Sequence, residues 1–161
     1  FILLASFFLD AYAFTIEGKV GYTLGKRNKK SFLTLVNNSI QLSFFTALII
    51  SAIYIFFFKE IINIFTDIEI LRFMSYKHSI WVVIIPPVAA FCYQLDGIFV
   101  GASQTKELRN GMMISVACFV IVSIYLTKEF GNHGLWFSLL LFMILRTLTL
   151  KLFFNQILKK F

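Results

Sequence analysis

Residues 78–105 read HSIWVVIIPPVAAFCYQLDGIFVGASQT, a stretch in which Asp96 is the one formally charged residue. About 20 consecutive apolar residues cross a hydrocarbon core roughly 30 Å thick, so this run is long enough to span a bilayer. A carboxylate inside such a span is costly, and it is read by default as a functional group facing a bundle interior or a watery cavity. The fold question therefore becomes how many spans surround Asp96.

The gaps between charges answer it. Ser31 to Phe58 and Asn110 to Thr127 carry no charge, Phe130 to Leu150 carries only Arg146, and Phe1 to Ile16 carries only Asp10. Across the chain 59% of residues are apolar, 21 are Phe, and only 14% are charged, against about 25% in soluble proteins. The chain reads as an all-α integral membrane protein, a bundle of about five transmembrane helices over 1–25, 32–58, 67–103, 110–127 and 133–157. It opens at Phe1 inside an apolar helix, with no basic leader region, and reads as the C-terminal part of something longer.

The loops set an orientation if each segment crosses once. One side collects Lys26, Arg27, Lys29, Lys30, Lys106, Arg109, Lys159 and Lys160; the other collects Lys59, Arg72, Lys77 and Lys128. The richer side is cytoplasmic by the positive-inside rule, which puts the C-terminus there. Loop charge of this kind accounts for the net +7 through topology and anionic lipid, without nucleic acid. Cys92 and Cys118 lie in apolar spans, and with no CxxC and no histidine cluster, neither a metal nor a cofactor is expected.

Thr66 offers an N-cap with Asp67 and Glu69 in the first turn behind it. A helix running unbroken from residue 67 past Gly101 would exceed about 50 Å at 1.5 Å per residue, so Pro86 and Pro87 are expected to break it. Backbone freed at membrane depth is tolerated only where protein or water satisfies it. Glu17-Gly18 through Gly25 and Asp96-Gly97 through Gly101 each pair an acid with GxxxG spacing, which lets helix backbones approach closely in lipid. Asp10 and Glu17, seven residues apart, share one face with Phe14 and Gly21.

The candidate coupling or substrate-binding acids are thus Asp96, Asp10 and Glu17, with Asp96 placed deepest. Phe14, Tyr93, Gln94 and Phe99 are candidate cavity-lining residues, the aromatics for apolar and cation–π contacts. Asn37, Asn38, Ser39 and Gln41 are expected to hydrogen-bond across helices, Arg146 to snorkel toward the interface in preference to pairing with an acid, and His78 and His133 to be isolated residues at the outer boundary.

Phe8-Leu9-Asp10-Ala11-Tyr12-Ala13-Phe14-Thr15-Ile16-Glu17, with Gly21 and the Gly25-Lys26-Arg27 turn, resembles the eighth helix of multidrug and toxic compound extrusion (MATE) transporters of the DNA-damage-inducible F branch. Tyr93-Gln94-Leu95-Asp96-Gly97-Ile98-Phe99-Val100-Gly101-Ala102, Leu108-Arg109-Asn110 and Gly131-Asn132-His133-Gly134-Leu135-Trp136 match later segments of that branch in order. The resemblance implies most of the C-terminal lobe of a twelve-helix antiporter in the cell's inner membrane, whose N-terminal lobe is a missing partner. It further implies export of small cationic or amphipathic substrates against protons or sodium by alternating access. Asp96 matches a tenth-helix acid implicated in cation coupling, while in this branch a first-helix acid outside these residues carries proton coupling. A lipid-linked oligosaccharide flippase and an inactive truncated remnant are the alternatives; a membrane enzyme lacks any catalytic cluster here.

Overall fold

A computed structural model describes all of residues 1–161. Six helices follow one another with short turns: α1 (Ile2–Gly25), α2 (Lys29–Phe65), α3 (Glu69–Lys77), α4 (Ser79–Gly101), α5 (Thr105–Phe130) and α6 (Asn132–Leu158). Of these, α2, α4, α5 and α6 are long and apolar enough to cross a membrane. At 24 residues α1 has the length, and Asp10, Glu17 and Lys19 are what lower its apolarity.

At the centre stands α4, and its residues show why. Gly97 and Gly101 present bare backbone to α1: a Cβ at Gly97 would strike the Ala13 carbonyl, and one at Gly101 the Glu17 carbonyl. Both pairs are 84 positions apart, so α1 and α4 run parallel in constant register. The glycine pair of α4 is therefore a packing seam, whereas Gly18 and Gly25 of α1 have nothing within 4 Å. Ile16, Val20, Phe32, Leu95, Ile98, Phe99 and Leu150 close one core cluster across α1, α2, α4 and α6; Leu9, Ala47, Ile85, Ala89 and Met143 close another toward the opposite end. Against α6 lies α5, an outer helix with only Gly111 and Ser115 buried. Gly134 lets their hairpin close, since a Cβ there would strike the Leu126 carbonyl, and Gly131 makes the turn at φ +56°.

The helix break lies elsewhere than expected. The chain interrupts its third long segment at His78, and α4 then runs through Pro86 and Pro87 without ending. Proline 87 has no N–H to offer the carbonyl four residues back, at Val83. Ser51 of α2 donates to that carbonyl at 2.8 Å, so a neighbouring helix supplies the missing bond and the prolines stay inside. The short helix α3 has no buried residue and turns Ile70 and Phe73 outward, at 73% and 69% exposure. Its N-cap is Ile68, two residues past Thr66, whose hydroxyl instead accepts from the Ile68 N–H at 3.2 Å. Arg72 clamps this elbow, donating to the Thr66 carbonyl at 2.7 Å and to Asp67 at 3.0 Å.

Helices α1 and α4 end in the same way. The N–H of Arg27 bonds to the Leu24 carbonyl and that of Asn28 to Thr23; Ser103 and Gln104 repeat this with Val100 and Phe99. These are Schellman closures, which place the residue after the cap in the left-handed region. Arg27 at φ +50° and Ser103 at φ +53° occupy that position without being glycine. Asn28 then caps α2 by accepting from the Ser31 N–H at 2.9 Å.

Candidate functional site

Asp96 is held by Arg146. The guanidinium of Arg146 donates from Nε to Asp96 Oδ1 at 3.0 Å and from Nη2 to Oδ2 at 2.9 Å, a two-pronged pair bridging α4 and α6. Their side chains keep 23% and 16% exposure, so the pair is mostly desolvated yet reachable. The planar guanidinium matches a carboxylate in a way a lysine ammonium would not. Arg146 therefore does not snorkel. The alternating spans already hinted at this partner: Asp96 is the eighteenth residue of α4 and Arg146 the fifteenth of α6, in two helices running the same way.

Asp10 has no such partner. It is half-buried on the face of α1 that carries Ala13 and Glu17 against α4, and no hydrogen bond or ion pair holds it. The constant register sets it level with Gln94, half a turn outward of Asp96. Gln94 is the sixteenth of the 23 residues of α4 and Asp96 the eighteenth, so Asp10 lies nearer the middle of that span than Asp96 does. Glu17 is half-buried at the level of Gly101, the inner end of α4, and is likewise without an ion-pair partner.

The expected cavity-lining residues separate. Phe14 is 73% exposed on α1. Tyr93 is half-buried and packs beside Leu9 and Ser6 of α1. Gln94 and Phe99 are both fully buried at 0% exposure, on the faces of α4 that pack against α1, α2 and α6. Gln94 accepts from the Ser39 hydroxyl at 2.8 Å, which makes Ser39 a cross-helix partner, as expected of it. Asn37, Asn38 and Gln41 form no such bond and stay exposed.

Two further features escaped the sequence reading. His78 and His133 are not isolated: their rings stack at 4.5 Å, with the Trp81 indole N–H donating to His133 Nδ1 at 3.0 Å, which joins the outer ends of α4 and α6. A polar groove of about 710 Å³ lies between α1 and the first half of α2, with Lys19 and Lys30 on its walls. Its sequence signal was the four-residue spacing of Lys30, Thr34 and Asn38.

These features define a multi-pass helical membrane protein with one ion pair and two unpaired acids, Asp10 and Glu17, inside its bundle. A model of the MatE family matches residues 1–128, so the chain belongs to that family. It is 34% identical over 142 residues to DNA damage-inducible protein F of Escherichia coli (strain K12), covering 88% of this chain and 31% of that protein. It is 26% identical over 145 residues to Protein DETOXIFICATION 44, chloroplastic, of Arabidopsis thaliana, covering 89% and 28%. The chain thus spans under a third of the length of these relatives. No solved structure matches it.

Proposed function

We propose that the chain supplies C-terminal-lobe helices of a proton- or sodium-coupled exporter of cationic or amphipathic compounds that works by alternating access. The observation that carries this reading is the reachable Asp96–Arg146 pair with the unpaired Asp10 half a turn away. An arriving proton or sodium ion competes with Arg146 for the Asp96 carboxylate. Once Asp96 is neutralised the guanidinium is released, and the link between α4 and α6 loosens. Asp10, the free carboxylate beside the pair, holds a cationic ligand before the coupling ion arrives, and neutralisation of these carboxylates by that ion expels the ligand outward. Release of the coupling ion to the cytoplasmic side restores the Asp96–Arg146 pair and the anionic site for the next ligand.

The outward face of α1 supports a further lobe as the partner. Phe7, Phe14 and Tyr22 are exposed there at 63–73%, and Gly18 and Gly25 meet nothing within 4 Å. A lobe drawn from the remaining length of the relatives would cover this face, so these residues alone are expected not to transport. The loop charges favour the inner membrane with a cytoplasmic C-terminus.

The test is efflux of a fluorescent cationic dye from cells expressing the complete protein, at matched membrane abundance. Wild type should export; Asp96→Asn should lose most export and Asp10→Asn should lower it. Undiminished export by both variants would sink the reading.

A further inference from the structure

Two side-chain hydrogen-bonded links join α4 to α6, and each ends on a group that can take up a proton. At the inner end it is Asp96, bound by Arg146; at the outer end it is His133, whose Nδ1 accepts from the Trp81 indole N–H at 3.0 Å. Trp81 is the third residue of α4 and Asp96 the eighteenth, so at 1.5 Å per residue the links stand about 22 Å apart. The transport cycle proposed above uses the inner link and gives the outer one no part.

The bonds fix where each proton sits. An indole N–H can only donate, so His133 Nδ1 is bare and the neutral ring carries its proton on Nε2. His78 Nδ1 lies 2.8 Å from the Met74 carbonyl, which can only accept, so that nitrogen keeps its proton and Nε2 is free to take a second. The two rings stack at 4.5 Å with 28° between their planes. A proton on His78 therefore disturbs no bond, whereas one on His133 sets N–H against N–H at Trp81 and puts two cations face to face. Neither imidazole is ion-paired with a carboxylate that would offset the second charge. The other ionisable side chains at this end are Lys59 and Glu60 of α2, Glu69, Tyr76 and Lys77 of α3, and Lys128 and Glu129 of α5; Asp67 and Arg72 pair with each other, and α1 has none before Asp10.

Opening has somewhere to go. His133 is held between Gly131, which turns the chain at φ +56°, and Gly134, whose bare backbone lies against the Leu126 carbonyl. A cavity of about 320 Å³, lined by Trp81, Leu126, Phe130, His133 and Phe137, adjoins the bond and can receive the released indole. His78, Trp81 and His133 are all half-buried, so water reaches them. Histidine is the residue type whose charge changes between about pH 5 and 8. We propose that these three residues form an acid-opened latch: near neutral pH it ties the outer ends of α4 and α6, and charging both imidazoles frees Trp81 and lets those ends part. The side of the membrane that senses the acid rests on the orientation proposed above; the latch itself does not.

The complete protein, labelled with fluorotryptophan in mild detergent, is followed by fluorine NMR from about pH 7.5 to about 5.5, with the Trp81 signal identified by its loss in Trp81→Phe. The bonded-to-free ratio of Trp81 should fall by at least about tenfold, the response to one linked proton over a single pH unit. In His133→Asn the side-chain oxygen replaces Nδ1 without gaining charge, so the ratio should stay within about twofold. His78→Asn, with one imidazole left, should make the fall shallower. A smaller fall in the wild type overturns the proposal, and this arm needs no variant to fold. A fall of wild-type size in His133→Asn overturns it too, since the responsible proton then binds elsewhere, and an unchanged slope in His78→Asn overturns the two-proton latch. Thermal melting near neutral pH checks that each variant is folded. The readout is a bond and not efflux, so its failure is distinct from failure of the exporter reading.

Discussion

Asp96→Asn should cost the fold about 2–4 kcal/mol, and the structure says why. Removing one partner of a buried ion pair typically costs about 3–5 kcal/mol, because the other charge stays behind without compensation. Here the exposures of 23% and 16% let water recover part of that, which lowers the figure. Arg146→Gln should cost a similar amount, since it strands the carboxylate. The double variant strands nothing and should cost about as much as either single change. The coupling energy is then about 2 kcal/mol or more, far beyond the few tenths seen for independent sites. The assay is reversible unfolding of the complete protein in mixed micelles, followed by fluorescence of Trp81 on α4 and Trp136 on α6. If the two single costs simply add in the double variant, to within about 0.5 kcal/mol, the pair does not hold α4 to α6 and the coupling mechanism loses its basis.

Three other outcomes follow from the packing. Gly101→Val should destabilise by about 1–3 kcal/mol in the same assay by forcing α1 away from α4. Ser51→Ala should cost about 1–2 kcal/mol by orphaning the Val83 carbonyl, and that cost should vanish in a Pro87→Ala background, where the helix regains its own donor. Ser103→Gly should raise thermal stability by about 1 kcal/mol, because φ +53° is strained for any side chain.

The spans were legible because the bilayer penalises charge: the uncharged runs reappear as α2, α4, α5 and α6. The second span, expected to end at Phe58, instead runs on as α2 to Phe65, past one non-helical residue at Phe57. What the sequence hid were partnerships between distant positions. Nothing near Pro87 announces that Ser51 will serve its orphaned carbonyl, so a break was expected where the helix continues. Only the shared direction of their two spans pointed from Asp96 to Arg146, 50 positions on. Gln94 and Phe99 were assigned to a cavity because a polar and an aromatic residue flank Asp96. Both instead fall on the faces of α4 that pack against its neighbours, at 0% exposure.

The constant register of α1 with α4 also bears on how the protein is made. The charges of α1 make it a poor candidate for entering lipid alone, yet the backbone it packs against is 84 residues further along the chain. At about 5–20 residues per second of synthesis, α1 waits roughly 4–17 s for that surface to emerge. During that interval Asp10 and Glu17 need shelter at the insertion machinery or in its aqueous channel. Variants that weaken the Gly97–Gly101 seam should therefore show first as degraded newly made chains, before any loss of stability in molecules that have matured.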